Sequence, residues 1–199
     1  MPPDDPRSDL DLIAACNRRD AQAHRAFEAL YVRHRDFVWR LALRFTRDQD
    51  LAADVLQNTF TYLAGKFPGF TLTCRLTTFL YPVVRHESLA ALRARRRAGG
   101  MSPGGAGLDD DDLLADLAGP ASASNPADPP GPGDDLRRIL AVLPAPQREA
   151  VLMRFVDDLS MEEIAQALEI PVGTVKSRLH HAIATLRADP AARRYFLDS

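Results

Sequence analysis

Gly99–Gly133 holds eight of the chain's eleven glycines and six of its fifteen prolines. A stretch of that composition cannot bury enough apolar surface to offset the entropy lost on ordering it. No single core can run through it, so the chain of 199 residues has to fold twice, once on each side. The expected organisation is a domain over 1–98, a flexible acidic linker over 99–134 and a second domain over 135–199. Charge divides the same way. The net charge of −2 conceals +5 in residues 1–98, −8 in 99–135 and +1 in 136–199, so partners are to be sought from local charge. Within the linker, "DDDDLLADL" (Asp109–Leu117) has room for a turn or two of amphipathic helix around Leu113, Leu114 and Leu117. A solvated acidic tract is the plainer reading. A calcium loop is excluded, since the required glycine and the closing glutamate are missing.

Both flanks carry the 3.6-residue period of helices, and nothing alternates with period two for long. Phe27, Leu30, Tyr31, His34, Val38, Leu41, Ala42 and Phe45 keep that period. In the next helix Leu51, Val55, Thr59 and Tyr62 form one stripe, with Leu56, Phe60 and Leu63 beside it. "KFPGFTLTCRLT" reads as a loop, and a third apolar-rich helix runs from about Thr77 to Arg97. Pro82 falls inside it, where it either kinks the helix or marks its start. The fold class is therefore all-α, with two small helical domains.

The C-terminal part is punctuated more sharply. Leu136–Leu143 reads as a helix stopped by Pro144, and Pro146 suits the first turn of the next helix. Ser160-Met161-Glu162-Glu163 is a capping box, with Leu159 and Ile164 placed as a hydrophobic staple. That helix reaches Leu168, "EIP" turns the chain, and "VGTVKSRLHHA" starts another helix. Two short helices joined by a tight turn are a helix-turn-helix, whose second helix enters the DNA major groove. On that helix Val175, Leu179, Ala182 and Ile183 make an apolar stripe. Thr174, Ser177, Arg178 and His181 lie at i, i+3, i+4 and i+7 on the other face, with no acidic residue. Arg178 can pair bidentately with guanine, worth about 1–3 kcal/mol of discrimination. Lys176 and Ser177 suit phosphates.

Other chemistry finds no support. "MPPDDPRSD" is polar and acidic, unlike a signal peptide, and no apolar run approaches bilayer length, so no membrane insertion is expected. Cys16 and Cys74 are far apart and lack metal-ligand spacing, which favours a reducing, cytoplasmic setting. His34-Arg35-Asp36 has the letters of a kinase catalytic loop, but Leu41 stands where Asn is needed. His180 and His181 are adjacent and point to different faces. No nucleophile–base pair, phosphate loop or metal quartet occurs, so neither catalysis nor a cofactor is expected.

"LPAPQREAVLMRFVDDLSMEEIAQALEIPVGTVKSRLHHAIATLR" (Leu143–Arg187) resembles the C-terminal DNA-binding domain of bacterial sigma factors, in particular the small extracytoplasmic-function type. "AFEALYVRHRDFVWRLALRFTRDQDLAADVLQNTFTYL" is similar to the sigma domain that grips core RNA polymerase and opens the promoter. The resemblance implies a non-enzymatic subunit that directs core RNA polymerase to promoter DNA and initiates transcription. An anti-sigma factor stands as a further candidate partner. Asp54 and Gln57, in "DVLQ", match the motif that docks on the polymerase, with Asn58 beside them where an acidic residue is typical. The loop Phe67–Thr77, with Arg75, corresponds to the element that captures an unstacked base of the downstream promoter element. Phe79 stands where the family has Trp, while His86 and Ala90 stand where Asn and Asp are common. Arg85, Arg93, Arg95, Arg96 and Arg97 fall on the promoter-melting and duplex-contacting surface. The linker corresponds to a segment that threads the channel later carrying nascent RNA. Two rivals compete: a helix-turn-helix regulator acting without polymerase, and a helical interaction module that binds no DNA. The first gives the "DVLQ" helix no task, and the second gives Lys176 and Arg178 none.

Overall fold

A computed structural model describes residues 5–98, 136 and 138–197, the last four of these by their backbone only. The linker over 99–134, and Asp109–Leu117 within it, lie outside the described residues. The chain divides into two compact units, residues 1–104 and 105–199. All regular structure among the described residues is helical.

The N-terminal unit contains α1 (Asp9–Arg18), α2 (Ala23–Thr46), α3 (Gln49–Gly65) and α4 (Leu76–Ala98). The long α2 packs against each of the other three. Its buried positions are Ala26, Leu30, His34, Val38, Leu41, Ala42, Phe45 and Thr46. These repeat every three or four residues and so give one continuous seam. Asp48 starts α3 by accepting from the Leu51 N–H at 3.0 Å. α3 turns Ala52, Val55, Thr59, Phe60 and Leu63 inward.

Two details of this unit differ from what the sequence predicts. The first helix is α1, not the one through Phe27. Ser8 and Asp11 form a capping box at its start, and Leu12, Ile13, Ala15 and Cys16 are buried. Tyr62 does not share the inward stripe with Val55 and Thr59. It is 42% exposed, because the buried face of α3 centres on the line through Ala52, Val55, Thr59 and Leu63. The helix expected from about Thr77 to Arg97 is present as Leu76–Ala98 and runs through Pro82 rather than starting at it. Pro82 is exposed, so its ring projects toward solvent rather than into the core.

The C-terminal unit contains α5 (Ala145–Phe155), α6 (Met161–Leu168), α7 (Val172–Ala188) and α8 (Pro190–Leu197). The expected helix Leu136–Leu143 is shorter than read, being helical through Leu140 and then a turn. Pro144 has no N–H to continue the helix onto the Leu140 carbonyl, and the Arg148 guanidinium instead donates to the Leu140 and Leu143 carbonyls at 2.9 and 2.6 Å. It thereby satisfies acceptors that another helical turn would need. The Ser160–Glu163 capping box forms in both directions. Glu169 takes the left-handed conformation (φ 55°) that ends α6, and Ile170 N–H donates back to the Ala165 carbonyl at 3.0 Å. This tight reversal sets α7 across α6. Leu159, Ile164, Val175, Leu179 and Ala182 are buried in the resulting core. Beside it, Leu140, Val151, Phe155, Ile183 and Leu186 line an open apolar groove of about 730 Å³.

Candidate functional site

Three surfaces carry the residues singled out by the sequence. The first is the outer face of α3. Asp54, Gln57 and Asn58 are all exposed, while the intervening Val55 is fully buried. The helix is therefore held by one face and offers the other. Asn58 is partly engaged, since its Nδ2 donates to Glu87 Oε2 on α4 at 3.2 Å.

The second surface is α7. Val175, Leu179 and Ala182 anchor it in the core and Ile183 is half-buried. Thr174 and Arg178 are half-buried, and Lys176, Ser177 and His181 are exposed. The Lys176 and Arg178 side chains have no hydrogen bond or ion pair with another described residue, so their charge remains available to a ligand. Gly173, in the first turn, has no atom within 4 Å of where a Cβ would stand. The fold leaves that part of the helix open to close approach. The rings of His180 and His181 lie 5.7 Å apart edge to face.

The third surface joins the loop after α3 to α4. Seven aromatic rings lead from the core to solvent. Tyr31 meets Phe60 at 4.8 Å, Phe60 meets Phe27 at 6.4 Å, and Phe27 meets Phe67 at 6.3 Å. Phe67 then meets Phe70 at 5.8 Å, and Phe70 meets Phe79 at 4.8 Å. Phe79 stacks on Tyr62 with 22° between the ring planes, and Lys66 Nζ lies 4.3 Å from the Tyr62 centroid. Phe79 was anticipated in this place. Tyr62 and Lys66 were not, although the i, i+4 spacing that joins them on α3 is visible in the sequence.

The basic residues of this region are not all equivalent. Arg75, Arg93, Arg95 and Arg97 are exposed, and Arg85 and Arg96 are half-buried. Arg95 is engaged within the chain, donating to Asp48 Oδ2 at 2.6 Å. It thus ties the end of α4 to the cap of α3. Asp48 is held below the usual carboxylate range by the Leu51 N–H, with Arg95 adding to the effect. Among the described residues no group of His, Cys, Asp and Glu is placed to hold a metal, and no helix is long and apolar enough to cross a membrane.

Comparison with known proteins matches the two regions in which these surfaces lie. Residues 30–98 match sigma-70 region 2, and residues 133–186 match sigma-70 region 4. The RNA polymerase sigma-E factor of Streptomyces avermitilis is 30% identical over 164 residues, which are 82% of this chain and 84% of that protein. The ECF RNA polymerase sigma factor SigE of Mycolicibacterium smegmatis is 31% identical over 176 residues, 84% of this chain and 63% of the relative. In fold, the chain is similar to the sigma factor RpoE of Bartonella quintana, solved with the anti-sigma factor NepR. The TM-score is 0.57 at 21% identity, covering 84% of this chain and 94% of that one. It is also similar to CnrH, solved with the cytosolic domain of CnrY, with a TM-score of 0.61 at 22% identity and coverage of 90% and 95%. A regulator acting without polymerase, or a module that binds no DNA, would account for one of the two matched regions at most. The chain belongs to the extracytoplasmic-function group of the sigma-70 family, the subunits that direct RNA polymerase to promoters.

Proposed function

We propose a division of labour among the three surfaces. The outer face of α3, with Asp54 and Gln57 at its centre and Asn58 at its edge, docks on core polymerase. The loop after α3, with Arg75, Phe79 and the basic residues of α4, receives the opened downstream promoter element. Arg85, Arg93, Arg95, Arg96 and Arg97 meet its phosphates, and Arg95 also braces α3 through Asp48. Thr174, Lys176, Ser177, Arg178 and His181 of α7 read the upstream element. Domain limits of 1–98 and 135–199, with 99–134 as a tether, suit this arrangement, as does a cytoplasmic setting. An anti-sigma factor fits as regulator, given that one structural relative, the RpoE of Bartonella quintana, was solved with one.

The observation that carries the docking assignment is that Asp54 and Gln57 are exposed on a helix whose other face is wholly committed to the core. Changing both to arginine should therefore weaken binding to core polymerase at least tenfold while helical content stays unchanged. Titration of labelled core enzyme with the double variant, beside circular dichroism, measures both. Wild-type affinity in Asp54→Arg/Gln57→Arg would remove the assignment. Promoter-dependent transcription by reconstituted holoenzyme tests the wider reading.

A further inference from the structure

The loop that bears Phe67 and Phe70 has no regular structure of its own. Segments of that kind sit at the low end of local stability. Yet its centre is held from far away in sequence. Asn17 Oδ1 accepts from the Gly69 N–H at 2.8 Å and from the Phe70 N–H at 3.1 Å. Asn17 Nδ2 donates to the Phe70 carbonyl at 2.8 Å. Two residues on, Arg19 Nη2 donates to the Phe67 carbonyl at 3.1 Å. We infer that Asn17, in the last turn of α1, is a positioning residue for promoter reading, holding the loop main chain so that Phe70 and Phe79 are set for an unstacked base. This rests on the reading above that the loop receives such a base.

The chemistry is specific to asparagine. One side chain has to offer an oxygen to two N–H groups and an N–H₂ to a carbonyl, and this pattern also fixes which way the amide faces. Aspartate keeps the acceptor but turns a second oxygen toward the Phe70 carbonyl. Glycine at position 69 is equally suited, since its φ of +98° lies where side chains are strained. The anchor itself is firm. Leu12 and Ile13 bury α1 in the core. Arg33 of α2 donates to Asp9 Oδ1 at 2.6 Å and to the carbonyls of Asp5 and Arg7 at 2.7 and 2.9 Å. With Phe70 fixed at main-chain level, its ring meets Phe67 and Phe79, and Phe79 meets Tyr62. A loop ordered before the DNA arrives avoids the entropy of ordering at capture. None of this involves Asp54, Gln57 or the polar face of α7.

The test uses holoenzyme reconstituted with the full chain. The probe is a promoter fragment whose non-template strand is single-stranded and randomised across the downstream element. Retained strands are sequenced, and core affinity is titrated in parallel. Asn17→Ala should bind core as wild type does, retain the probe about tenfold less well and flatten the base preference at one position. Arg19→Ala, losing one bond of the four, should move the same way by less. Asn17→Asp should stay close to Asn17→Ala. Phe79→Ala reports on the underlying reading. If Phe79→Ala loses retention and preference while Asn17→Ala keeps both, the inference about Asn17 fails and the loop reading survives. If Phe79→Ala keeps both, the reading fails and the inference with it. Hydrogen exchange completes the test: Asn17→Ala should speed exchange at residues 66–75 and leave α2 and α3 unchanged. Faster exchange throughout α2 and α3, or a matching loss of core affinity, would mean that Asn17 serves the stability of the whole unit and would overturn its positioning role.

Discussion

Arg178 and Lys176 stand two positions apart on α7, and the proposed reading gives them different work. Arg178 lies on the line through Thr174, Ser177 and His181 and is half-buried. Its planar fork is thus partly pre-organised for a bidentate contact. Lys176 lies off that line and is exposed, which suits a point charge beside a phosphate. Arg178→Ala should weaken binding at one upstream base position by about 1–3 kcal/mol and relax preference there. Lys176→Ala should weaken binding about equally across sequences and lower the salt slope by about one. Holoenzyme binding to a duplex library at several salt concentrations measures both. A uniform loss in Arg178→Ala would make it a phosphate contact. That these positions share one helix was legible, because spacing along a single helix is local in sequence. Asn17 was not. Its partner Phe70 is 53 residues away, and periodicity carries no information about such a pair. Tyr62 misled for a related reason, falling three residues after buried Thr59 yet outside the arc that the core covers.

At the level of elements, α1 and α6 show what makes a helix readable. Both start with a capping box. Ser160–Glu163 leads into a helix that is part of a recognisable motif. Ser8–Asp11 has aspartate in place of glutamate, follows a proline-rich start and precedes an apolar stripe of only four buried residues. Ten residues fall short of the length at which a helix holds by itself, so α1 depends on α2. That dependence has a pH signature. His34 is 7% exposed, and its Nε2 lies 2.9 Å from Asp9 Oδ2. Burial pushes its imidazole below the ordinary value of 6.5, against the opposing pull of Asp9. In the unfolded chain His34 takes up its proton near 6.5, whereas in the fold it stays neutral to lower pH. Its contribution is therefore complete above about pH 6.5 and is lost as pH falls through the folded value. Asp5, held at about 2 by Arg7, does not titrate in that window. Asp11, lowered chiefly by Ser8, shifts away from the window. The thermal midpoint should fall between pH 7.5 and 5, and His34→Gln should flatten that fall. Calorimetry on the two proteins decides it, and parallel pH profiles would exclude His34 as the source.

On the scale of the molecule, each unit closes a core of its own, as the Gly/Pro-rich interval requires. Residues 136–199 carry only +1, so that segment by itself should bind DNA weakly. The fastening of α1 has a consequence for where the N-terminal unit begins. Similarity to sigma-70 region 2 starts at residue 30, but the packed structure starts at α1. A chain trimmed to begin at Leu30 would lack Leu12 and Ile13, whose burial is worth about 3–6 kcal/mol against a domain stability of about 5–15 kcal/mol. It would also lack Asp9, Asn17 and Arg19. Such a chain should unfold at lower temperature in its N-terminal unit and be cut by protease within residues 66–75, while α7 still binds its upstream duplex. Intact resistance at 66–75 in the trimmed protein would contradict this. Shared ancestry and mechanical integrity therefore draw different borders on this chain, and a fragment designed on the first would lack the strut that the second requires.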